Sequence, residues 1–107
     1  MIEILTYESE AGKVIAENPN MLIPYYIMAS YAYYVEDDPI FTDSFYDEMA
    51  KTILEWWDNI DHYHKSYLNK DALNAGSYLG NYPPIIETAL ESFRDEIHTR
   101  GNTRKRI

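Results

Sequence analysis

The chain has 107 residues, no cysteine and a formal net charge of −9. This length supports one hydrophobic core, and the lack of cysteine excludes disulfides and zinc–thiolate sites. The sequence shows neither a charged-then-apolar leader nor an apolar run of roughly twenty residues, so we expect a cytoplasmic protein with no membrane contact.

The negative charge is concentrated in residues 1–93, where sixteen acids outweigh four lysines and give −12. A body this acidic repels a phosphate backbone, so we expect no direct binding of nucleic acid by it. Residues 94–107 carry five basic groups and two acids, which gives +3. We interpret residues 1–100 as a single helical domain and 101–107 as a basic flexible tail. Contact of this tail with phosphate or an acidic partner is the alternative.

The N-terminal stretch MIEILTYESEAGKVIAEN fits two secondary structures. Residues 8–17 have the spacing of a short helix, while MIEILTY alternates apolar and polar residues as a strand does. No second strand is evident for it to pair with, and both interpretations stay open at this point.

A first long helix is predicted after the Asn-Pro-Asn turn at residues 18–20. Asn20 is the predicted N-cap, and Pro24 falls in the first turn, where its missing N–H costs little. Apolar and aromatic side chains then recur at helical spacing: Leu22, Tyr25, Tyr26, Ala29, Tyr33 and Tyr34. The helix is predicted to end before Pro39, because a residue that precedes proline disfavours the α region.

A second helix is predicted to begin at Thr42 or Asp43, both good N-caps, and to run to about Ile60. Its apolar stripe consists of Tyr46, Met49, Ile53, Trp56 or Trp57, and Ile60. Two adjacent tryptophans do not both face one core, so we expect one of them to be partly exposed.

The last third of the chain predicts shorter pieces and one more helix. Residues 62–82 are typical of one or two helical turns, with Gly76 and Gly80 as stops. Pro83 and Pro84 open a final helix whose apolar residues are Ile86, Leu90, Phe93 and Ile97. The sequence therefore predicts a small all-α domain built on an antiparallel helical hairpin, with a third packing helix and short helical turns.

Tyrosines and carboxylates are concentrated around the loop between the two hairpin helices. Eleven tyrosines in one small chain indicate either a binding surface or a core that lies close to water. In a hairpin, Tyr33 and Tyr34 at the end of one helix meet Asp43, Tyr46 and Asp47 at the start of the next. Aromatic faces and carboxylates around a cleft suit a flat cation, through ring stacking, cation–π attraction and charge pairing. The alternative is structural, since first-turn aspartates stabilise a helix dipole and spaced tyrosines are usually core residues.

The stretch YAYYVEDDPIFTDSFYD resembles the signature of domain Ia, the N-terminal helical domain of NAD-dependent DNA ligases. The pattern is an aromatic residue, any residue and Tyr-Tyr-Val, then Asp, Pro, a cap and Asp-x-x-Tyr-Asp. The residues in register are Tyr31, Tyr33, Tyr34, Val35, Asp37, Pro39, Thr42, Asp43, Tyr46 and Asp47. The resemblance covers residues 22–60, with a lid-like core at 20–60.

The resemblance implies a nucleotide site at this loop. In that family the domain grips the nicotinamide mononucleotide half of NAD while a lysine elsewhere attacks the adenylyl phosphorus. By resemblance, Tyr33 and Tyr46 flank the nicotinamide ring, and Tyr34 approaches the leaving phosphate. Asp43 and Asp47 contact ribose or carboxamide groups. Such contacts would orient the leaving group, which is a positioning role and not a catalytic one.

Two departures from the family pattern limit what the chain does alone. Phe45 stands where the family commonly has a capping-box glutamate, and indicates either an extra buried contact or a docking surface. No lysine has the Lys-x-Asp-Gly context needed for adenylation, so the chain is not an enzyme by itself. The resemblance implies the lid subunit of a split, phage-type ligase, working with a separately encoded adenylyltransferase in the host cytoplasm. The alternative is an acidic phage interaction protein that docks on a host ligase or another host protein.

The histidines are assigned no metal. Asp58, Asp61, His62 and His64 form a mixed cluster at the predicted end of the second helix. There His62 and His64 would point to different sides, so we expect solvated helix-end residues and no metal site. His98 is predicted to complement the dipole at the end of the final helix.

Overall fold

This computed structural model describes residues 2–62, 64–75 and 82–102 of the chain, which contain five α-helices and two short 3₁₀ turns. The helices are α1 (Ile2–Glu17), α2 (Leu22–Tyr34), α3 (Asp43–Glu55), α4 (Lys70–Ala75) and α5 (Ile86–Asn102), and the 3₁₀ turns are Pro19–Met21 and Lys65–Tyr67. The prediction of an all-α domain is confirmed.

Helix α2 lies at the centre of the fold and packs against both α3 and α5. Its residues from Leu22 to Ala32 are buried apart from half-buried Pro24 and Tyr31, and Ile23, Tyr26 and Ile27 are completely enclosed. The segment contains no charged residue, as expected of a helix that is covered on all sides. The predicted apolar residues of this helix are therefore buried as far as Ala29, whereas Tyr33 and Tyr34 in the last turn are exposed.

The N-terminal segment is one helix, and the strand interpretation is wrong. Tyr7 and Ala11, four residues apart, are buried on one face of α1, which packs against α5. The Tyr7 ring lies 5.3 Å from that of Phe93. This tertiary contact favours the helix where the local pattern alone is ambiguous.

The predicted cap at Asn20 is also wrong. The 3₁₀ turn leads directly into α2, and Met21 at the N-cap has helical dihedral angles and no side-chain cap. The Asn20 side chain instead accepts a hydrogen bond of 2.8 Å from the Asp61 N–H, which ties the start of α2 to the segment after α3.

Helix α3 ends at Glu55, five residues before the predicted end, because Trp56 leaves the helical region. The Lys65 ammonium group then donates to the carbonyls of Trp57 and Ile60, at 2.6 and 2.9 Å. It also lies 4.6 Å above the Trp57 ring. Trp57 packs against the core while Trp56 is exposed, which confirms that the two tryptophans face different surroundings.

Helix α5 confirms the final predicted helix, since its four periodic apolar residues are all buried, although it begins at Ile86 and not at Pro83 or Pro84. It remains helical through Asn102, and residues 103–107 of the predicted tail lie outside the described part of the chain, as do Gly76 and Gly80. None of the helices within residues 2–62, 64–75 and 82–102 is both long enough and apolar enough to span a bilayer.

Candidate functional site

The end of α2 and the start of α3 border a cavity of about 230 Å³ that is open to solvent. We call it the aromatic–acidic cavity. It is lined by Tyr33, Tyr34, Asp43, Tyr46 and Asp47. The five candidate site residues from the sequence analysis therefore line the same cavity. This placement by itself does not identify a ligand.

The acidic side of the cavity is set by the N-terminus of α3. The Thr42 hydroxyl accepts a hydrogen bond of 3.2 Å from the Phe45 N–H, and the Thr42 carbonyl accepts one of 3.0 Å from the Tyr46 N–H. This cap starts the helix at Asp43, so that Asp43 and Asp47 lie one turn apart on the same face. Both side chains are exposed.

Tyr46 forms a fixed aromatic wall because its ring stacks on Tyr26 of α2. The two ring centroids are 4.6 Å apart, and the rings are inclined by only 12°. Both hydroxyls are buried, and each influences the other, while the Ser30 hydroxyl also acts on that of Tyr46. Burial is the main reason why the pKa of each phenol is raised above its ordinary value. Both tyrosines therefore stay neutral at physiological pH, and the negative charge in the cavity comes from the two aspartates.

Tyr33 and Tyr34, in the last turn of α2, are the other two aromatic residues that line the cavity. Their rings lie edge to face with centroids 4.9 Å apart, and the residues are 45% and 40% exposed. The site therefore combines one wall fixed by the core with one pair of rings open to solvent.

Two helices outside the hairpin fix the loop between α2 and α3, a feature that the sequence analysis missed. The Arg94 guanidinium on α5 donates to the Glu36 carboxylate at 2.6 Å and to the Asp38 carbonyl at 2.5 Å. On α1, the Glu8 carboxylate accepts a hydrogen bond of 2.6 Å from the Thr42 N–H. Between these contacts the backbone of Asp37 has a φ of +53°, the left-handed region that Asp tolerates better than most residues.

Phe45 does not fill the cavity. It is half-buried, and its ring lies 4.7 Å from that of buried Phe41. Phe45 therefore makes the extra buried contact, the first of the two roles predicted for it, and is not an exposed docking residue.

The lining of the aromatic–acidic cavity offers groups for ring stacking and for charge pairing. Its lining offers phenol faces and carboxylate oxygens, and among the described residues no basic side chain lines it. A flat cation gains from both groups, while sugar hydroxyls and amide N–H groups donate to the carboxylates. Its volume lies below the range of about 300–1,000 Å³ that is typical of sites for drug-sized ligands. It therefore suits one ring with part of a sugar better than a whole dinucleotide.

The histidine cluster differs from its predicted geometry, because α3 ends before it. The rings of His62 and His64 lie 5.2 Å apart, and the His64 N–H donates to His62 Nδ1 at 3.1 Å. Burial, and then the nearby His64, lower the pKa of His62 below its ordinary value. In the described part of the chain, no three His, Asp or Glu side chains form a group suited to a metal ion. The side chain of His98 lies outside the described residues.

Comparison with known proteins gives no match to this chain among family models, curated proteins or solved structures. The resemblance to the ligase domain therefore stays a prediction that is based on its own residues.

Proposed function

We propose that this chain is a non-catalytic module that binds the nicotinamide mononucleotide half of NAD in the aromatic–acidic cavity. It would act as the lid subunit of a split NAD-dependent DNA ligase, together with a separately encoded adenylyltransferase. The observation that carries the proposal is that five residues from one contiguous motif line a single cavity.

The chemistry of the ligand supports this assignment. The oxidised nicotinamide ring is planar and cationic, so it stacks on tyrosine faces and is attracted by aspartates. Its carboxamide and ribose hydroxyls donate hydrogen bonds, which Asp43 and Asp47 accept. The neutral adenosine moiety has no comparable reason to prefer this cavity, whose volume holds only part of the dinucleotide.

The proposed function also requires a partner. Nicotinamide mononucleotide carries a phosphate, and no basic residue among those lining the cavity neutralises it. The adenylyltransferase must therefore supply both the cationic contacts for the phosphate and the lysine nucleophile. We expect millimolar affinity for the isolated chain, which corresponds to about 4 kcal/mol.

The proposal is tested by NMR titration of the full chain with three ligands at low salt. Nicotinamide riboside, which has the cationic ring but no phosphate, is expected to bind at least as tightly as nicotinamide mononucleotide. Adenosine monophosphate is expected not to bind. The substitution Asp43→Asn removes one carboxylate charge at nearly constant shape. It is expected to weaken nicotinamide riboside binding about fivefold, because an exposed ion pair contributes up to about 1 kcal/mol.

Asp71→Asn is the matched control, because Asp71 also lies in the first turn of a helix but does not line the cavity. It is expected to leave binding unchanged. Equal weakening by both variants would indicate a general charge effect and contradict a defined site. No binding of any nicotinamide ligand at millimolar concentration would favour the alternative, an acidic interaction protein that docks on a host ligase or another host protein.

A further inference from the structure

The N-terminus of α3 receives a hydrogen bond that its own sequence does not provide. In a capping box, the N-cap side chain accepts the N–H of the third helical residue, and the side chain of that residue accepts the N-cap N–H in return. Thr42 makes the first of these contacts, with the Phe45 N–H at 3.2 Å. Phe45 has no side-chain acceptor for the second contact, so the Thr42 N–H needs a partner from elsewhere.

Glu8 on α1 supplies that acceptor. Its carboxylate accepts the Thr42 N–H at 2.6 Å, across a separation of 34 residues in the chain. The contact joins the same two groups as the second half of a capping box, a carboxylate and the N–H of the N-cap residue. The charge on the acceptor strengthens the hydrogen bond, and a negative charge is favoured beside the positive end of a helix dipole.

The packing of α1 holds Glu8 in place for this contact. Tyr7, the preceding residue, is buried, and its ring lies 5.3 Å from that of Phe93 on α5. Ala11, one turn after Tyr7, is completely buried. Glu8 itself is half-buried. Its contact with Thr42 therefore ties the first turn of α3 to the packed core, which a capping box within α3 alone would not do.

We propose that Glu8 completes the capping box of α3 from α1 and is thereby a positioning residue for the aromatic–acidic cavity. Glu8 is not among the residues that line the cavity, and it acts through Thr42, which fixes where α3 begins. The turn that starts there presents Asp43, and Asp47 follows one turn later. The effect of Glu8 on ligand binding rests on the proposed function, whereas the cap itself is tested without a ligand.

A double-mutant cycle in urea unfolding tests the cap. Glutamine serves at the third position of a capping box as glutamate does, so Phe45→Gln offers the Thr42 N–H a second acceptor without adding charge. In the unmodified chain Glu8 already occupies that N–H, and Phe45→Gln only loses the ring contact with Phe41. In Glu8→Ala the new glutamine replaces the lost acceptor. We therefore expect Phe45→Gln to lower the equilibrium between folded and unfolded chain about fivefold less in Glu8→Ala than in the unmodified chain.

Two controls separate the hydrogen bond from other effects. Phe45→Leu also removes the ring but supplies no acceptor, so we expect its effect to be the same with and without Glu8, within about twofold. Glu8→Gln removes the charge and keeps an acceptor, and is expected to retain most of the stability that Glu8→Ala loses. If the Phe45→Gln cycle shows no more coupling than the Phe45→Leu cycle, the cap is overturned.

Hydrogen exchange gives a second readout in the single variants, which keep Phe45 and its packing. We expect the Thr42 N–H to exchange at least about threefold faster in Glu8→Ala than in the unmodified chain, because its acceptor is gone. In Glu8→Gln the exchange rate is expected to stay close to that of the unmodified chain. An unchanged rate in Glu8→Ala would contradict the contact.

The consequence for the cavity is measured by titrating each full-length variant with nicotinamide riboside. We expect Glu8→Ala to bind at least about twofold more weakly, because a frayed first turn holds Asp43 in the competent position for less of the time. Glu8→Gln, which loses the same charge, is expected to bind as the unmodified chain does. Equal affinity in Glu8→Ala and the unmodified chain would overturn the positioning role. If the unmodified chain binds no nicotinamide ligand, the proposed function fails, and the two cycles then uphold or overturn the cap by themselves.

Discussion

Replacing Arg94 with methionine tests whether α5 holds the loop that carries the aromatic–acidic cavity. Arg94 contacts the Glu36 carboxylate, the Asp38 carbonyl and, at 3.4 Å, the Asp38 carboxylate. Methionine keeps much of the aliphatic stem and removes every one of these contacts.

The expected loss of stability follows from the burial of the contacts. The side chains of Arg94 and Glu36 are 21% and 24% exposed, so water screens the pair less than it screens a fully exposed one. Hydrogen bonds to charged groups contribute about 1.5–3 kcal/mol when shielded, and exposed ion pairs contribute up to about 1 kcal/mol. The Asp38 carboxylate is 73% exposed and adds little. We therefore expect the free energy of unfolding to fall by about 1–2 kcal/mol.

The assay is urea unfolding followed by far-ultraviolet circular dichroism. Arg94→Lys is the matched control, because a lysine keeps the charge but does not span two acceptors as the planar guanidinium does. It is expected to recover less than half of the loss. A double-mutant cycle with Glu36→Gln isolates the direct pair from other effects of each substitution. If Arg94→Met stays within about 0.3 kcal/mol of the unmodified chain, the proposed restraint of the loop is refuted.

Three further substitutions test contacts at other places. Tyr46→Phe removes a buried hydroxyl that interacts with those of Tyr26 and Ser30, so we expect thermal unfolding to show a loss of about 1 kcal/mol; a gain would show that these hydroxyls do not stabilise one another. Lys65→Met removes two hydrogen bonds to carbonyls after α3 and is expected to cost about 1–2 kcal/mol in urea unfolding, whereas the exposed Lys51→Met should cost little. Burial lowers the pKa of His62 in the folded chain below the ordinary histidine value of about 6.5. Below about pH 6.5 the unfolded chain therefore binds more protons than the folded chain, and the free energy of unfolding falls as the pH drops. His62→Gln should remove this part of the pH dependence in unfolding measured between about pH 7 and 5, and an unchanged slope would contradict it.

Local signals in the sequence were sufficient for much of the fold. The Thr42 cap depends on residues three positions apart, and the α5 stripe repeats within a few turns, so both are predictable from short windows. The central position of α2 was also readable, because residues 22–34 contain no charged side chain. The sequence analysis missed this central position because it treated α2 as a helix with one apolar face.

The restraints on the cavity were not predictable in the same way. Arg94 lies 58 residues from Glu36, and Glu8 lies 34 residues from Thr42. Each pair meets only because α1 and α5 pack together beside α2, which no local periodicity specifies. The motif identified which side chains line the cavity, but the contacts that fix their loop are properties of the packed domain.

This dependence on packing predicts that residues 20–60 do not fold when expressed alone, although they contain the whole ligase-like motif. The fragment lacks α5, whose Leu90 and Phe93 are buried in the same core as α2. Without them α2 would expose one of its apolar sides and the loop would lose Arg94. We expect a far-ultraviolet spectrum with little helix and no cooperative transition, while the full chain unfolds cooperatively. A cooperatively folded fragment that binds nicotinamide riboside as the full chain does would instead show that the hairpin is an independent unit and that α5 is dispensable for the site.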